Sequence, residues 1–234
     1  MSAPVHEHGG ELIRRATAEL VGTAFLVATV IGSGIMATRL TADVGLQLLA
    51  SGLATGAALV TLIVTLRPVS AAFNPVMTGV EAVLGGITWR EAGVLAVAQV
   101  GGGTLGAVVA NLMFDLDAVS LSAHERSGGG PWLGEVVATL GLVLVAFGGA
   151  RSRRTETVAF AVGGYITAAY WFTSSTCFAN PAVTIARMFS DTFAGIEPTS
   201  VPMFLLMQTL GAGLALGLLH VLYPATSSLV PDRA

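Results

Sequence analysis

The tripeptide Asn74-Pro75-Val76 returns 106 residues later as Asn180-Pro181-Ala182, and each copy opens a segment that is apolar, helix-compatible and too short to cross a bilayer. Asn is a favoured residue just before a helix. Pro is favoured at the first helical position, where its missing amide costs nothing. Both pairs therefore read as helix starts, placed inside apolar sequence where a chain has little freedom to begin or end a helix.

The surroundings are those of a membrane protein. Of 234 residues, 53% are hydrophobic and 11% charged, with 29 glycines and a mean hydropathy of +0.77. Runs of about 20 apolar residues, enough to cross about 30 Å of hydrocarbon, fall near residues 16–38, 44–66, 90–113, 133–150, 157–175 and 201–224. The fourth is slightly short and ends sharply at Arg151, Arg153 and Arg154. Segments 73–84 and 178–189 lie between the second and third and between the fifth and sixth runs. Each offers about 10 helical residues, or roughly 15 Å, enough to reach the midplane and return. The fold class is thus all-α: six spanning helices and two re-entrant half-helices.

Glycines inside apolar runs, as in residues 100–106 and 211–217, suit close helix contact in lipid. No G-x-y period exists, which excludes collagen. There is no Lys, and the net charge is −3, so nucleic acid is not a partner. The one cysteine, Cys177, excludes an internal disulfide framework and a multi-thiolate metal site; no metal or cofactor is expected. The polar start, with His6, Glu7, His8, Glu11, Arg14 and Arg15, lacks a small-residue cleavage pattern after the first apolar run, which reads as a retained helix.

Arginine placement orients the chain. With a cytoplasmic N-terminus, Arg14, Arg15, Arg67, Arg90, Arg151, Arg153, Arg154 and Arg233 lie inside, and Arg39, Arg126 and Arg187 outside. This inside excess puts both termini in the cytoplasm. Residues 115–130 then form an external loop, expected to be partly ordered at most.

The two Asn-Pro units belong to a longer repetition. Glu19 near the start of the first run matches Glu135 near the start of the fourth; Gln99 followed by Gly102 matches Gln208 followed by Gly211. The markers keep their order at offsets of 116, 106 and 109 residues. Three spans per repeat send the second copy into the membrane from the opposite side, so the repeat is inverted. A single domain over residues 1–234 results, with halves of approximately 12–113 and 130–226.

In that arrangement the two half-helix starts meet at the centre with their positive dipole ends together. The irregular approaches, residues 68–73 and 174–179, must line a wet cavity, because such backbone cannot face lipid. The expected path has carbonyl acceptors along one side and the amides of Asn74 and Asn180 at its middle. A small neutral hydroxylated solute exchanges its water hydrogen bonds for these groups, whereas a cation meets an unfavourable central potential. For Glu19 and Glu135 two readings stand: interfacial carboxylates, or buried acceptors for the amides of the irregular loops. Gln99 and Gln208, inside apolar helices, are expected to satisfy polar loop atoms. His220, in the last run, receives no transport role.

These residues together resemble the major intrinsic protein family, the aquaporins and aquaglyceroporins. The resemblance covers roughly residues 12–226. It implies an aquaporin-like homotetramer in the membrane, with one pore per protomer and passive, bidirectional flow of small neutral solutes. The chain departs from the family in places. Val76 stands where alanine is usual, so the central width is open, and Ala72 stands where a histidine is common. The arginine that familiar water channels carry three residues after the second Asn is replaced by Val183. Arg187 lies one turn further along the same face, in the outer vestibule or at the surface.

Carrying the outer selectivity filter over by motif places it at Thr55 (Ala54 if no gap is allowed), Ala168, Cys177 and Val183. Such small or uncharged groups imply a wide, weakly polar mouth. The same substitution by valine resembles bacterial aquaglyceroporin-like channels associated with arsenic resistance, which implies arsenous acid and methylated arsenicals as solutes beside glycerol and water. Cys177 reads either as a small pore-wall residue or as a contact for a trivalent metalloid. The resemblance implies a bacterial inner membrane. The competing readings are a water-selective aquaporin and an occluded structural membrane protein. An enzyme is not expected, since no nucleophile, base and orienting group fall together. Coupled transport would need an ionisable relay, for which only Glu19 and Glu135 are available.

Overall fold

The computed structural model describes residues 5–151 and 157–223. Its helices are α1 (Val5–Leu40), α2 (Val44–Leu66), α3 (Pro75–Val83), α4 (Trp89–Met113), α5 (Gly129–Arg151), α6 (Val158–Phe172), α7 (Pro181–Ala186) and α8 (Val201–Leu222). A 3-10 turn, Arg187–Phe189, prolongs α7, and another, Pro198–Ser200, leads into α8. Arg153, Arg154 and Arg233, used above to orient the chain, lie outside the described residues.

Among the described residues five helices are long and apolar enough to cross a membrane, and α6 is a shorter apolar helix of 15 residues, about 22 Å. The expected run of 157–175 is therefore too long at its end, because Thr173 turns to extended backbone (φ −103°, ψ 136°). The first helix differs in the other direction, starting at Val5 and not near residue 16. Its leading residues include the good helix formers Glu11, Leu12, Arg14 and Arg15 and no proline, so the helix continues where apolarity stops. Local chemistry sets other ends. Asp43 accepts the Leu46 amide at 2.9 Å to start α2. Thr88 and Glu91 form a reciprocal capping box at the start of α4.

The packing is built twice. α1 lies on α4 and α2, α5 lies on α8 and α6, and α2 meets α6 between the two sets. Gly102 and Gly211 explain the closest approaches. A Cβ on Gly102 would overlap the Leu20 carbonyl, and one on Gly211 would overlap that of Val136. Leu20 and Val136 each follow the matched glutamate, so the same contact recurs in both sets. Gly56 and Gly163 do likewise across α2 and α6, each facing the other's carbonyl oxygen. Small residues at these crossings let helix backbones touch, the main source of cohesion where lipid removes the hydrophobic drive.

Residues 115–128 are ordered, contrary to the sequence expectation. The loop is tied to the chain that follows α7: Ser120 and Ser122 donate their amides to the carbonyls of Phe189 (3.2 Å) and Met188 (2.9 Å), and Glu197 donates its amide to the His124 carbonyl at 2.8 Å. Asp191 accepts the Ala123 amide at 3.0 Å. Backbone hydrogen bonds to a distant partner leave no trace in composition, which is why a Gly- and Ser-rich stretch looked loose.

Candidate functional site: a central cavity between two half-helices

α3 and α7 begin alike. Asn74 (φ −155°, ψ 115°) accepts the Val76 amide, and Asn180 (φ −158°, ψ 113°) accepts those of Ala182 and Val183. The preceding residues, Phe73 (φ 50°) and Ala179 (φ 46°), are left-handed although neither is glycine. Such a conformation costs on the order of 1–3 kcal/mol and persists because the surroundings dictate it. It turns the Phe73 and Ala179 carbonyls toward the opposite asparagine: Asn74 Nδ2 donates to Ala179 O at 2.8 Å and Asn180 Nδ2 to Phe73 O at 2.7 Å. The two helix starts are thereby fastened to each other.

Glu19 and Glu135 hold the approach loops in place. Glu19, fully buried, accepts the amides of Ala72 (2.9 Å) and Phe73 (2.6 Å), the Ser70 hydroxyl (2.5 Å) and Gln99 Nε2 (2.8 Å). Glu135, also fully buried, accepts the amides of Phe178 and Ala179, both at 2.9 Å, and Gln208 Nε2 at 2.6 Å. This decides between the two readings of these carboxylates in favour of buried acceptors. Each glutamine spends its second amide hydrogen on a threonine of the half-helix: Gln99 on Thr78 and Gln208 on Thr184, both at 2.9 Å. A buried carboxylate that collects several N–H and O–H donors has its loss of hydration largely replaced. The loops keep their carbonyls because their amides are occupied elsewhere.

A cavity of about 1130 Å³ runs past this junction. Its lining includes Asn74, Asn180 and the loop residues Ser70, Ala71, Ala72, Cys177, Phe178 and Ala179. Apolar side chains, among them Leu26, Leu59, Ile63 and Ile166, form the remaining wall, and Arg14, Arg15 and Arg67 border one end. Val76 does not line it. That side chain packs with Val80, Val143 and Ala212, so its extra methyl groups fill the protein interior and leave the central width alone.

The outer end departs from the sequence expectation at one position. Thr55, Cys177 and Val183 all line the cavity. Ala168 is exposed and absent from the lining; Ile166 and Tyr170 face inward from α6 instead. Two residues of α-helix turn through about 200°, so a count that misplaces the loop by two lands on the opposite face. Tyr170 donates to or accepts from Thr55 across the cavity wall, with 3.1 Å between the hydroxyls. Arg187 is buried at 3% exposure and lines the cavity, which rules out the surface alternative. The mouth therefore carries the aromatic Tyr170 where the small Ala168 was expected, with Arg187 in the lining beside Thr55, Cys177 and Val183. The i, i+4 relation of Ile166 and Tyr170 was the available signal for the former.

Residues 8–173 match the family described as "Major intrinsic protein". The chain belongs to the major intrinsic protein family. It is 50% identical over 217 residues to the protein named Aquaglyceroporin AqpS from Rhizobium meliloti (strain 1021), covering 92% of this chain and 93% of that one. Its fold is similar to the X-ray structure of the aquaglyceroporin from Plasmodium falciparum, with a TM-score of 0.74 at 18% identity over 91% of this chain and 98% of the other. As a member of this family the chain is a multi-pass membrane channel for small solutes and not an enzyme.

Proposed function

We propose that the cavity is a passive path for small uncharged solutes: water, glycerol, arsenous acid and methylated arsenicals. The observation that carries this reading is the meeting of Asn74 and Asn180 on one cavity whose walls beside them are mainly apolar side chains and loop backbone, with charged groups such as Arg14, Arg67 and Arg187 also in the lining. Each asparagine uses one amide hydrogen to fasten the junction, and a second hydrogen remains to donate to a passing hydroxyl. Apolar walls give a solute nothing to bind tightly, which favours flux over retention. The name of the relative from Rhizobium meliloti supports glycerol-sized solutes.

Tyr170 and Arg187 favour the second reading, a water-selective channel, because both narrow or polarise the outer end. Stopped-flow light scattering on proteoliposomes of the purified protein separates the two. Glycerol and arsenous acid are expected to enter far faster than through protein-free vesicles, without a proton or sodium gradient. Water flux alone would establish the water-selective reading, and no flux at all the occluded one.

The repeated hydrogen bonds of Glu19 with Gln99 and of Glu135 with Gln208 support inverted halves of about 12–113 and 130–226 in a single domain. The arginine distribution supports cytoplasmic termini in a bacterial inner membrane. Lipid and neighbouring protomers of a homotetramer are the partners that the apolar outer faces of α2, α4 and α8 would meet. Cross-linking in membranes tests the assembly, and protease access to a terminal tag in sealed vesicles tests the orientation.

A further inference from the structure

We infer that Arg187 is a specificity-determining residue of this channel, the outer positive barrier that Val183 does not supply. The inference rests on the neutral-solute reading above. Arg187 follows Val183 by four positions, on the 3-10 turn that prolongs α7, and so returns to nearly the same face roughly 6 Å further along the axis. Both side chains line the cavity. A positive charge omitted from one turn is thus restored at the next.

The seat of the guanidinium is specific. Arg187 Nε donates to the Ala194 carbonyl, and the guanidinium carbon lies 3.5 Å from the centre of the Phe178 ring. Among the described residues no carboxylate lies within ion-pair distance of it. Arg126 sits against the same ring at 5.1 Å and donates to Gly195 O at 2.7 Å and Phe193 O at 3.2 Å. Three successive carbonyls, those of residues 193–195, therefore take N–H groups from two arginines. The two roles differ: Arg126 spends its donors on backbone and is absent from the cavity lining, whereas Arg187 spends one and borders the cavity. Glu135 acts on the guanidinium only from beyond ion-pair distance and Arg126 adds to its positive charge, so a net positive potential remains at the cavity. By Coulomb's law at an intermediate dielectric, the guanidinium disfavours a monovalent cation about 5 Å away on the order of a hundredfold, while a neutral solute sees only a hydrogen-bond donor.

The test uses proteoliposomes and two solutes, glycerol and the smaller methylammonium cation, the latter at a pH where it is fully charged, so that size cannot account for its exclusion. The parent is expected to pass glycerol and exclude methylammonium. Arg187→Gln is expected to raise methylammonium entry by about tenfold or more relative to glycerol, whose own flux holds or rises; Arg187→Lys, which keeps the charge, is expected to remain tight to the cation. An Arg187→Gln channel that conducts glycerol and still excludes methylammonium overturns the inference. If that variant does not assemble, Arg187→Met decides: it keeps a long side chain without the charge, and a severalfold cation leak relative to glycerol supports the barrier, whereas a tight Arg187→Met channel that passes glycerol overturns it in favour of a purely structural arginine. A parent without glycerol flux overturns the channel reading itself, a result distinct from either.

Discussion

Asn74 and Asn180 each donate to the carbonyl preceding the other, at 2.8 and 2.7 Å, so neither half-helix start is complete without its counterpart. Asn74→Ala removes a cap and orphans the Ala179 carbonyl. A lost cap costs about 1 kcal/mol and an unsatisfied buried acceptor about 1–3 kcal/mol. We expect a lowered Tm for the detergent-solubilised protein, followed by circular dichroism. Asn180→Ala should fall by as much or more, since Asn180 caps two amides. An unchanged Tm in both would mean that the junction contributes nothing to cohesion.

The carboxylates beneath the loops are expected to be more sensitive. Glu135→Gln keeps the shape but turns one of the two acceptor oxygens into an NH2 group, which then faces either the Phe178 amide or the N–H donors of Ala179 and Gln208. Leaving buried donors unpaired costs about 1–3 kcal/mol each, so assembly should drop sharply on size-exclusion chromatography. Glu19→Gln should behave in the same way. A well-assembled Glu135→Gln protein with parental Tm would show that its loop is held by the remaining contacts.

Helix crossings offer a contrast within one element. Gly102→Ala drives a methyl group into the Leu20 carbonyl, whereas a Cβ on Gly101 meets nothing within 4 Å. The first change should cost about 1–3 kcal/mol as overpacking. Gly101→Ala should be neutral or slightly stabilising, since alanine loses less chain entropy in a helix. Gly211→Ala and Gly213→Ala form the equivalent pair in α8. Equal Tm values within either pair would remove the close-approach account of these glycines.

The markers that made the architecture legible are those whose chemistry is local or periodic. An Asn-Pro step announces a helix start wherever it stands, and a run of about 20 apolar residues announces a span. Glu19 and Glu135 were legible only as candidates, because their loop partners lie more than 40 residues away in sequence. Ala168 was misread for a geometric reason: the loop between α6 and Asn180 has its own length, and an error of two residues reverses the face of a helix. Arg187 was legible as to face and not as to depth, since its burial depends on the Phe178 ring and the carbonyl of Ala194. The order of residues 115–128 rests on backbone pairing with residues 188–197, which composition does not encode.

The α6 correction leads to a prediction about solute size. Tyr170 closes part of the outer end and is pinned by Thr55 at 3.1 Å, so Tyr170→Ala should widen the mouth and raise glycerol-sized flux relative to water, whereas Ala168→Tyr, on the exposed face, should leave the ratio as it is. Val183→Arg acts in the opposite sense. It places a second guanidinium one turn from Arg187, where like charges repel and bulk is added, and should suppress glycerol and arsenous acid more than water. The measurement for all three is the ratio of glycerol to water permeability in matched proteoliposomes. An Ala168→Tyr change in that ratio together with an unchanged Tyr170→Ala ratio would return the filter to the position counted from sequence, and with it the wider, weakly polar mouth.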